Sequence, residues 1–134
     1  MSANESEKSG RIRLLLVDDE EAYVKILAKR LTKRNFDVTA TFSGLQGIQA
    51  ARREDFDVAV LDLKMEDIDG IEVLKVFKRM APRMEVIMLT GHGSEQAARE
   101  GVQFGAFDYL TKPCELEELI VKIKEAARQS KSRP

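Results

Sequence analysis

Apolar residues along the chain fall into two kinds of segment that alternate with each other. Short and almost continuous apolar runs occur at Ile12–Val17, Val58–Leu61 and Val86–Leu89, and weaker ones occur at Val38–Phe42 and Asp108–Leu110. Continuous runs of this length are typical of parallel strands that are covered on both faces. Five strands are therefore predicted, and three of them are expected to be buried on both faces.

Between these runs the apolar residues recur at helical spacing. Tyr23, Leu27 and Leu31 share one face of the first such segment. The last segment places four apolar residues on one face: Leu116, Leu119, Ile120 and Ile123. Residues suited to N-caps precede the second, third and fourth helices: Ser43, Asp69 and Ser94.

Five strands that alternate with five helices over short connections predict an α/β fold with a doubly wound five-stranded parallel sheet. The strand order 2-1-3-4-5, the flavodoxin-like (βα)5 arrangement, is common for a sheet of this size. The segments outside this alternation are small, polar and charged. We therefore expect a disordered leader at 1–10, one domain at 11–129 and a flexible tail at 130–134.

Composition narrows the class of protein. The chain has 134 residues, with 22 Lys and Arg against 23 Asp and Glu, and a net charge of −1. It therefore lacks the basic field of a non-specific nucleic-acid binder, and no apolar run approaches the roughly 20 residues of a membrane span. A polar N-terminus without a signal-peptide core favours a cytoplasmic protein. Because Cys114 and His92 are the only residues of their types, disulfides, Cys/His zinc sites and Ser-His-Asp catalysis are disfavoured.

Polar side chains gather at the ends of the predicted strands, where the pocket of an open parallel sheet lies. In chain order they are Asp18 and Asp19, Asp62, Thr90, and Lys112. Carboxylates packed together repel one another unless a cation neutralises them, and oxygen ligands favour a hard ion such as Mg²⁺. A lysine and a threonine hydroxyl would complete a cradle for a phosphoryl group, and an aspartate can itself be the nucleophile. The residues thus indicate Mg²⁺-dependent phosphoryl transfer to an aspartate.

Four segments give the chain a resemblance to a known family, the receiver domains of two-component response regulators. They are VDDE at Val17–Glu20, VLDLKMEDIDG at Val60–Gly70, MLTGHG at Met88–Gly93 and GAFDYLTKP at Gly105–Pro113. Their order and spacing agree with the family from about Arg11 to Gln129. Each segment alone is a weak signal, whereas all four at the correct strand ends form a strong one.

The resemblance implies a metal and phosphorylation site. Asp62 would accept a phosphoryl group from the phosphohistidine of a sensor histidine kinase or a phosphotransfer protein. Asp19 and Asp62 would ligate Mg²⁺, or Mn²⁺ in its place. Asp18 would hold a metal-bound water, and the backbone carbonyl of Lys64 would supply another ligand.

The resemblance also implies a conformational switch. Lys112 would pair with a phosphoryl oxygen, the hydroxyl of Thr90 would move in to bond it, and Tyr109 would turn inward with Thr90. The Lys112–Pro113 bond is expected to be cis. The change would reshape the face formed by the fourth helix, fifth strand and fifth helix, for a downstream protein, an attached effector domain or a phosphorylation-dependent homodimer. Such a domain is a phosphoacceptor switch rather than an enzyme, and it would contact neither nucleic acid nor membrane directly.

The chain departs from the family in the loop after Asp62, where Met65-Glu66 stands in place of the usual Met-Pro. Loss of the proline is expected to free this loop, and Glu66 adds a negative charge near the site. No ligand is lost, so the chemistry should survive.

Alternative interpretations remain at this stage. An aspartyl-phosphate hydrolase of the haloacid-dehalogenase type would need a DxD pattern after the first strand and usually a cap domain, but the sequence there is DDEE. A receiver that acts as a scaffold without phosphorylation is disfavoured by the intact Asp62, Thr90 and Lys112. Tyr109 also has a structural interpretation, as a half-buried packing residue at a strand end.

Overall fold

The computed structural model describes residues 10–91 and 95–132, over which five strands alternate with five helices. The strands are β1 (Arg13–Val17), β2 (Asp37–Thr41), β3 (Val58–Asp62), β4 (Glu85–Thr90) and β5 (Asp108–Thr111). The helices are α1 (Glu21–Lys33), α2 (Gly44–Arg53), α3 (Gly70–Met80), α4 (Glu95–Gln103) and α5 (Leu116–Ser132). Every predicted strand is present, and the ends differ from the predicted ones by at most a single residue.

The strands form one parallel sheet in the order β2-β1-β3-β4-β5, which confirms the predicted flavodoxin-like topology. Val17 at the end of β1 pairs with Leu61, and Asp62 pairs with Leu89 of β4. The residues that follow β1 and β3 therefore meet at one edge of the sheet. This edge contains the point between β1 and β3 where the strand order reverses, which is where open parallel sheets bind ligands.

Alternate residues of the central strands serve two separate apolar layers. Leu14 and Leu16 of β1 face α1 and α5, where they pack with residues such as Leu31 and Ile123. Leu15 and Val17 face α2 and α3. Because helices cover both faces, the central strands are apolar at nearly every position, as the sequence pattern predicts.

Side-chain caps fix two of the helix starts that position the site. Ser43 Oγ accepts a hydrogen bond from the Gln46 N–H at 3.0 Å, and Asp69 Oδ1 accepts one from the Ile71 N–H at 3.4 Å. Both predicted N-caps are thus confirmed. The third, Ser94, lies outside the described residues, as does His92.

The structure corrects one predicted boundary. Helix α5 continues to Ser132, whereas the domain was expected to end at Gln129 and a flexible tail to begin at residue 130. Ser130 is buried, and its hydroxyl donates to the Arg83 carbonyl at 2.7 Å, so a polar residue here has a partner that the sequence alone does not reveal. Most of the predicted leader lies outside the described residues. Among the helices of the described part of the chain, none has the length and apolar character that a membrane crossing requires.

Candidate functional site

Three aspartates converge where β1 and β3 end. Asp18 and Asp19 directly follow β1, and Asp62 is the last residue of β3. One carboxylate oxygen of each lies within 4.8 Å of the others. Asp18 and Asp62 are buried, at 5% and 7% exposure, and Asp19 is half-buried. The parallel register of β1 and β3 brings these carboxylates together, as the sequence predicts.

The electrostatics of the cluster favour a bound cation. Burial, followed by the negative charge of Asp18, raises the pKa of Asp62 from 3.8 to about 6, although Lys112 and the backbone N–H of Lys64 act in the opposite direction. Without a cation, ionisation of Asp62 therefore costs more free energy in the folded protein than in water. Three close oxygen donors with an open edge suit a hard divalent ion such as Mg²⁺, which uses few carboxylates and keeps several waters. The residues present fit that ion.

Lys112 reaches the cluster from the end of β5. Its Nζ lies 2.8 Å from Asp18 Oδ2, 2.8 Å from Glu20 Oε1 and 3.8 Å from Asp62 Oδ1. Burial alone would lower the pKa of Lys112, but the hydrogen bonds that its ammonium donates to Asp18 and Glu20 outweigh burial and raise that pKa above its ordinary value. Lys112 is therefore a fixed positive charge beside Asp62. The Lys112–Pro113 peptide bond is cis, as the resemblance implies.

Thr90 and Tyr109 lie on the two strands beyond Asp62. Thr90 ends β4 and is fully buried, and its hydroxyl donates to the Gly91 carbonyl at 3.2 Å. The Lys112 N–H donates to the Thr90 carbonyl at 2.6 Å, which joins the ends of β4 and β5. Tyr109 is half-buried and packs against the apolar layer on the α2–α3 side of the sheet. The structure thus places both predicted switch residues on strands next to the site.

The loop between β3 and α3, which lacks the proline, has hydrogen-bond partners along its length. The Glu66 N–H donates to Asp19 Oδ2 at 2.9 Å, and the Gly70 N–H donates to the Leu63 carbonyl at 3.0 Å. The carboxylate of Asp67 accepts hydrogen bonds from two N–H groups at the start of α2, at 3.0 and 2.9 Å. Backbone and side-chain hydrogen bonds restrain the loop where the sequence lacks a proline ring.

Sequence reasoning missed three residues that shape the site. Glu20 is the second partner of Lys112, the ring of Tyr23 lies 4.8 Å from Lys112 Nζ, and Asp67 anchors the loop to α2. The acidic run after β1 contained a signal for Glu20. The spacing of Tyr23 at helical period indicated only a core position. Asp67 had no sequence signal, because its partners are backbone groups 22 and 23 residues away.

Comparison with known proteins agrees with this fold and identifies the family. The family model described as "Response regulator receiver domain" matches residues 14–124. The chain belongs to this family. Its place there assigns it a phosphoacceptor role in two-component signalling, and it removes the haloacid-dehalogenase alternative.

Similar curated proteins are regulators longer than this chain. The transcriptional regulatory protein GlrR of Escherichia coli is 38% identical over 117 residues, which cover 87% of this chain and 26% of that protein. The cell cycle response regulator CtrA of Brucella ovis is 33% identical over 120 residues, covering 90% of this chain and 52% of that protein. The chain therefore spans between a quarter and about half of these relatives.

Solved structures share the fold over most of the chain. A CheY-like receiver domain protein from Methanospirillum hungatei has a TM-score of 0.85 at 29% identity, covering 90% of this chain and 97% of that one. NtrX from Brucella abortus has a TM-score of 0.86 at 26% identity, covering 90% of this chain and 28% of that one. The similarity thus covers nearly all of a receiver domain protein and about a quarter of the longer NtrX chain.

Proposed function

We propose that Asp62 is the phosphoacceptor of this receiver domain and that the site works with Mg²⁺. Asp19 and Asp62 would ligate the ion, with the carbonyl of Lys64 as a further ligand and Asp18 holding a water bound to it. The observation that carries this proposal is the convergence of three carboxylates within 4.8 Å beside Lys112, a half-buried lysine. Mn²⁺, which accepts the same oxygen ligands, would substitute for Mg²⁺.

The reaction is a transfer of one phosphoryl group from nitrogen to oxygen. An oxygen of Asp62 attacks the phosphorus of a phosphohistidine, and the new P–O bond forms as the P–N bond breaks. The bonding electron pair stays on the imidazole nitrogen, which leaves and takes up a proton. Lys112 Nζ lies 3.8 Å from Asp62 Oδ1. From there its positive charge would pair with the negative phosphoryl oxygens. The divalent ion, when bound, neutralises charge that develops on the transferring oxygens.

The donor would be a sensor histidine kinase or a phosphotransfer protein of the cytoplasm. Asp62 carries the phosphoryl group until hydrolysis releases it, so the domain acts as a switch with slow autodephosphorylation rather than as an enzyme that turns over a substrate. The relatives' greater length supports an attached effector domain as the target, and a separate downstream protein would be the alternative target.

The conformational effect of phosphorylation would be transmitted to that target through Thr90 and Tyr109. The Thr90 hydroxyl is held only by a 3.2 Å hydrogen bond to a neighbouring carbonyl among the described contacts, so a phosphoryl oxygen offers it a stronger, charged acceptor. Movement of Thr90 would give Tyr109 room to turn inward and would reshape the α4-β5-α5 face. The reshaped face would bind the target or a second phosphorylated copy of the domain.

The test of the phosphoacceptor is intact mass after incubation with acetyl phosphate and Mg²⁺. Wild type is expected to gain one phosphoryl group, Asp62→Ala to gain none, and EDTA to prevent the gain. Asp55→Ala is the matched control, because Asp55 is an exposed aspartate just before β3, at the opposite edge of the sheet. An adduct that persists in Asp62→Ala would overturn the assignment.

A second measurement separates rapid hydrolysis from a silent scaffold. If wild type shows no adduct, beryllofluoride with Mg²⁺ should still change the NMR signals of the Thr90 and Tyr109 amides. A protein that responds to neither reagent would be a phosphorylation-independent scaffold, and the proposal would be rejected.

A further inference from the structure

The loop between β3 and α3 sends one backbone donor to the metal-binding acids. The Glu66 N–H lies 2.9 Å from Asp19 Oδ2, with 47 residues between the two along the chain. Asp19 is half-buried at the rim of the cluster, so its side chain would otherwise be free to rotate toward solvent. This contact restrains one oxygen of a carboxylate whose other oxygen, Oδ1, keeps its full capacity as a ligand.

The contact exists only because residue 66 is not proline. A proline has no backbone N–H and could not donate to Asp19. The side chain of Glu66 is exposed, so what residue 66 contributes to this hydrogen bond is its backbone N–H and not its carboxylate. Any residue other than proline would supply the same donor. A substitution can therefore remove the carboxylate of Glu66 and keep its backbone N–H.

Neighbouring contacts hold the donor where it is needed. The Asp67 carboxylate binds the N–H groups of Gly44 and Leu45, which ties the next residue of the loop to the start of α2. At the far end of the loop, a Cβ added to Gly70 would lie 2.5 Å from the Leu63 carbonyl oxygen, so the backbone there is already in close contact. The Glu66 N–H therefore sits on a loop that is fixed on both sides.

We propose that Glu66 is a positioning residue, whose backbone N–H orients the Asp19 carboxylate for the divalent ion before that ion binds. The inference rests on the proposed function, since it concerns the same metal site. A ligand that is already oriented loses less rotational freedom on binding, and outer contacts of this kind raise metal affinity. The hydrogen bond thus connects the loop directly to a carboxylate that would ligate the ion.

The first test compares Mg²⁺ affinity by calorimetry in Glu66→Pro and Glu66→Ala. Glu66→Ala keeps the N–H and should bind Mg²⁺ within about twofold of wild type, whereas Glu66→Pro should bind it about five- to tenfold more weakly. The free energy of unfolding in EDTA should be similar in the two variants, which excludes a general loss of structure. Equal affinity in both variants, or tighter binding by Glu66→Pro, would overturn the inference.

The second test needs no metal. In EDTA, the Glu66 amide of wild type should exchange its hydrogen several-fold more slowly than in Asp19→Ala, while the Leu45 amide, held by Asp67, should be unchanged. Equal exchange of the Glu66 amide in both proteins would overturn the inference even if Mg²⁺ binds. A wild type that binds no Mg²⁺ would instead reject the proposed metal site, and the exchange result would still decide whether Glu66 holds Asp19.

Discussion

Asp62→Asn is expected to stabilise the metal-free protein at neutral pH. The wild-type site holds three carboxylates within 4.8 Å, and burial together with Asp18 raises the pKa of Asp62 to about 6. Ionisation of Asp62 therefore costs more in the folded protein than in the unfolded chain, where its pKa is near 3.8. Asn has nearly the same shape and carries no charge, so it removes this cost.

The size of the effect follows from the pKa shift. A rise of about two units corresponds to about 3 kcal/mol at ~1.4 kcal/mol per unit. Solvent at the edge of the site screens the charges, and Asn loses the attraction of Lys112, so we expect a net gain of about 1–2 kcal/mol. Well below the unfolded-state pKa of 3.8, Asp62 is neutral in both the folded and unfolded states and the two proteins should be equally stable. As pH rises from about 4 through 6, the folded protein binds the extra proton, so wild-type stability falls relative to that of Asp62→Asn.

The assay is urea unfolding followed by circular dichroism in EDTA, since the chain has no tryptophan. It should be run between pH 4 and 7.5, with the exposed Asp55→Asn as the control expected to change stability by less than about 0.5 kcal/mol. Mg²⁺ at ten times its Kd should then stabilise wild type by about 1.4 kcal/mol and Asp62→Asn by less. Destabilisation by Asp62→Asn at pH 7.5, or a gain that stays constant down to pH 4, would refute the electrostatic account.

Three further predictions concern residues around the site and at the end of the last helix. Lys112→Ala should raise the pKa of Asp62 further above 6, because it removes the ammonium that opposes the shift. A carboxyl NMR titration in EDTA measures this pKa, and an unchanged value would contradict the prediction. Gly70→Ala should lower the free energy of unfolding by about 2–3 kcal/mol, because its Cβ would meet a carbonyl oxygen at 2.5 Å. Gly91→Ala is its control, since among the described residues no atom beyond its chain neighbours lies within 4 Å of that Cβ, and equal effects would argue against the steric account. Ser130→Ala should cost about 1 kcal/mol in urea unfolding through its lost hydrogen bond, and an unchanged midpoint would show that the bond does not hold the end of α5.

The sequence predicts the fold and the central residues of the site for a common physical reason. Helices on both faces require continuous apolar strands, and parallel strands all end at the same edge of the sheet. Residues that follow separate strands, such as Asp18, Asp62 and Lys112, are therefore brought together by topology alone. Their chemistry could be inferred before any contact was measured, because the fold leaves these side chains few other places to lie.

Contacts made by backbone groups are harder to predict from the sequence than contacts between side chains at strand ends. The sequence shows that residue 66 is not proline, and a missing ring suggests a freer loop. The same substitution also returns an N–H to the backbone, and whether that N–H gains a partner depends on where the loop places it relative to Asp19. Ser130 is a similar case, since its polar side chain suggests a frayed end until the Arg83 carbonyl is found 2.7 Å away. Departures from a family pattern therefore have to be judged by the hydrogen-bonding groups they add as well as by the restraint they remove.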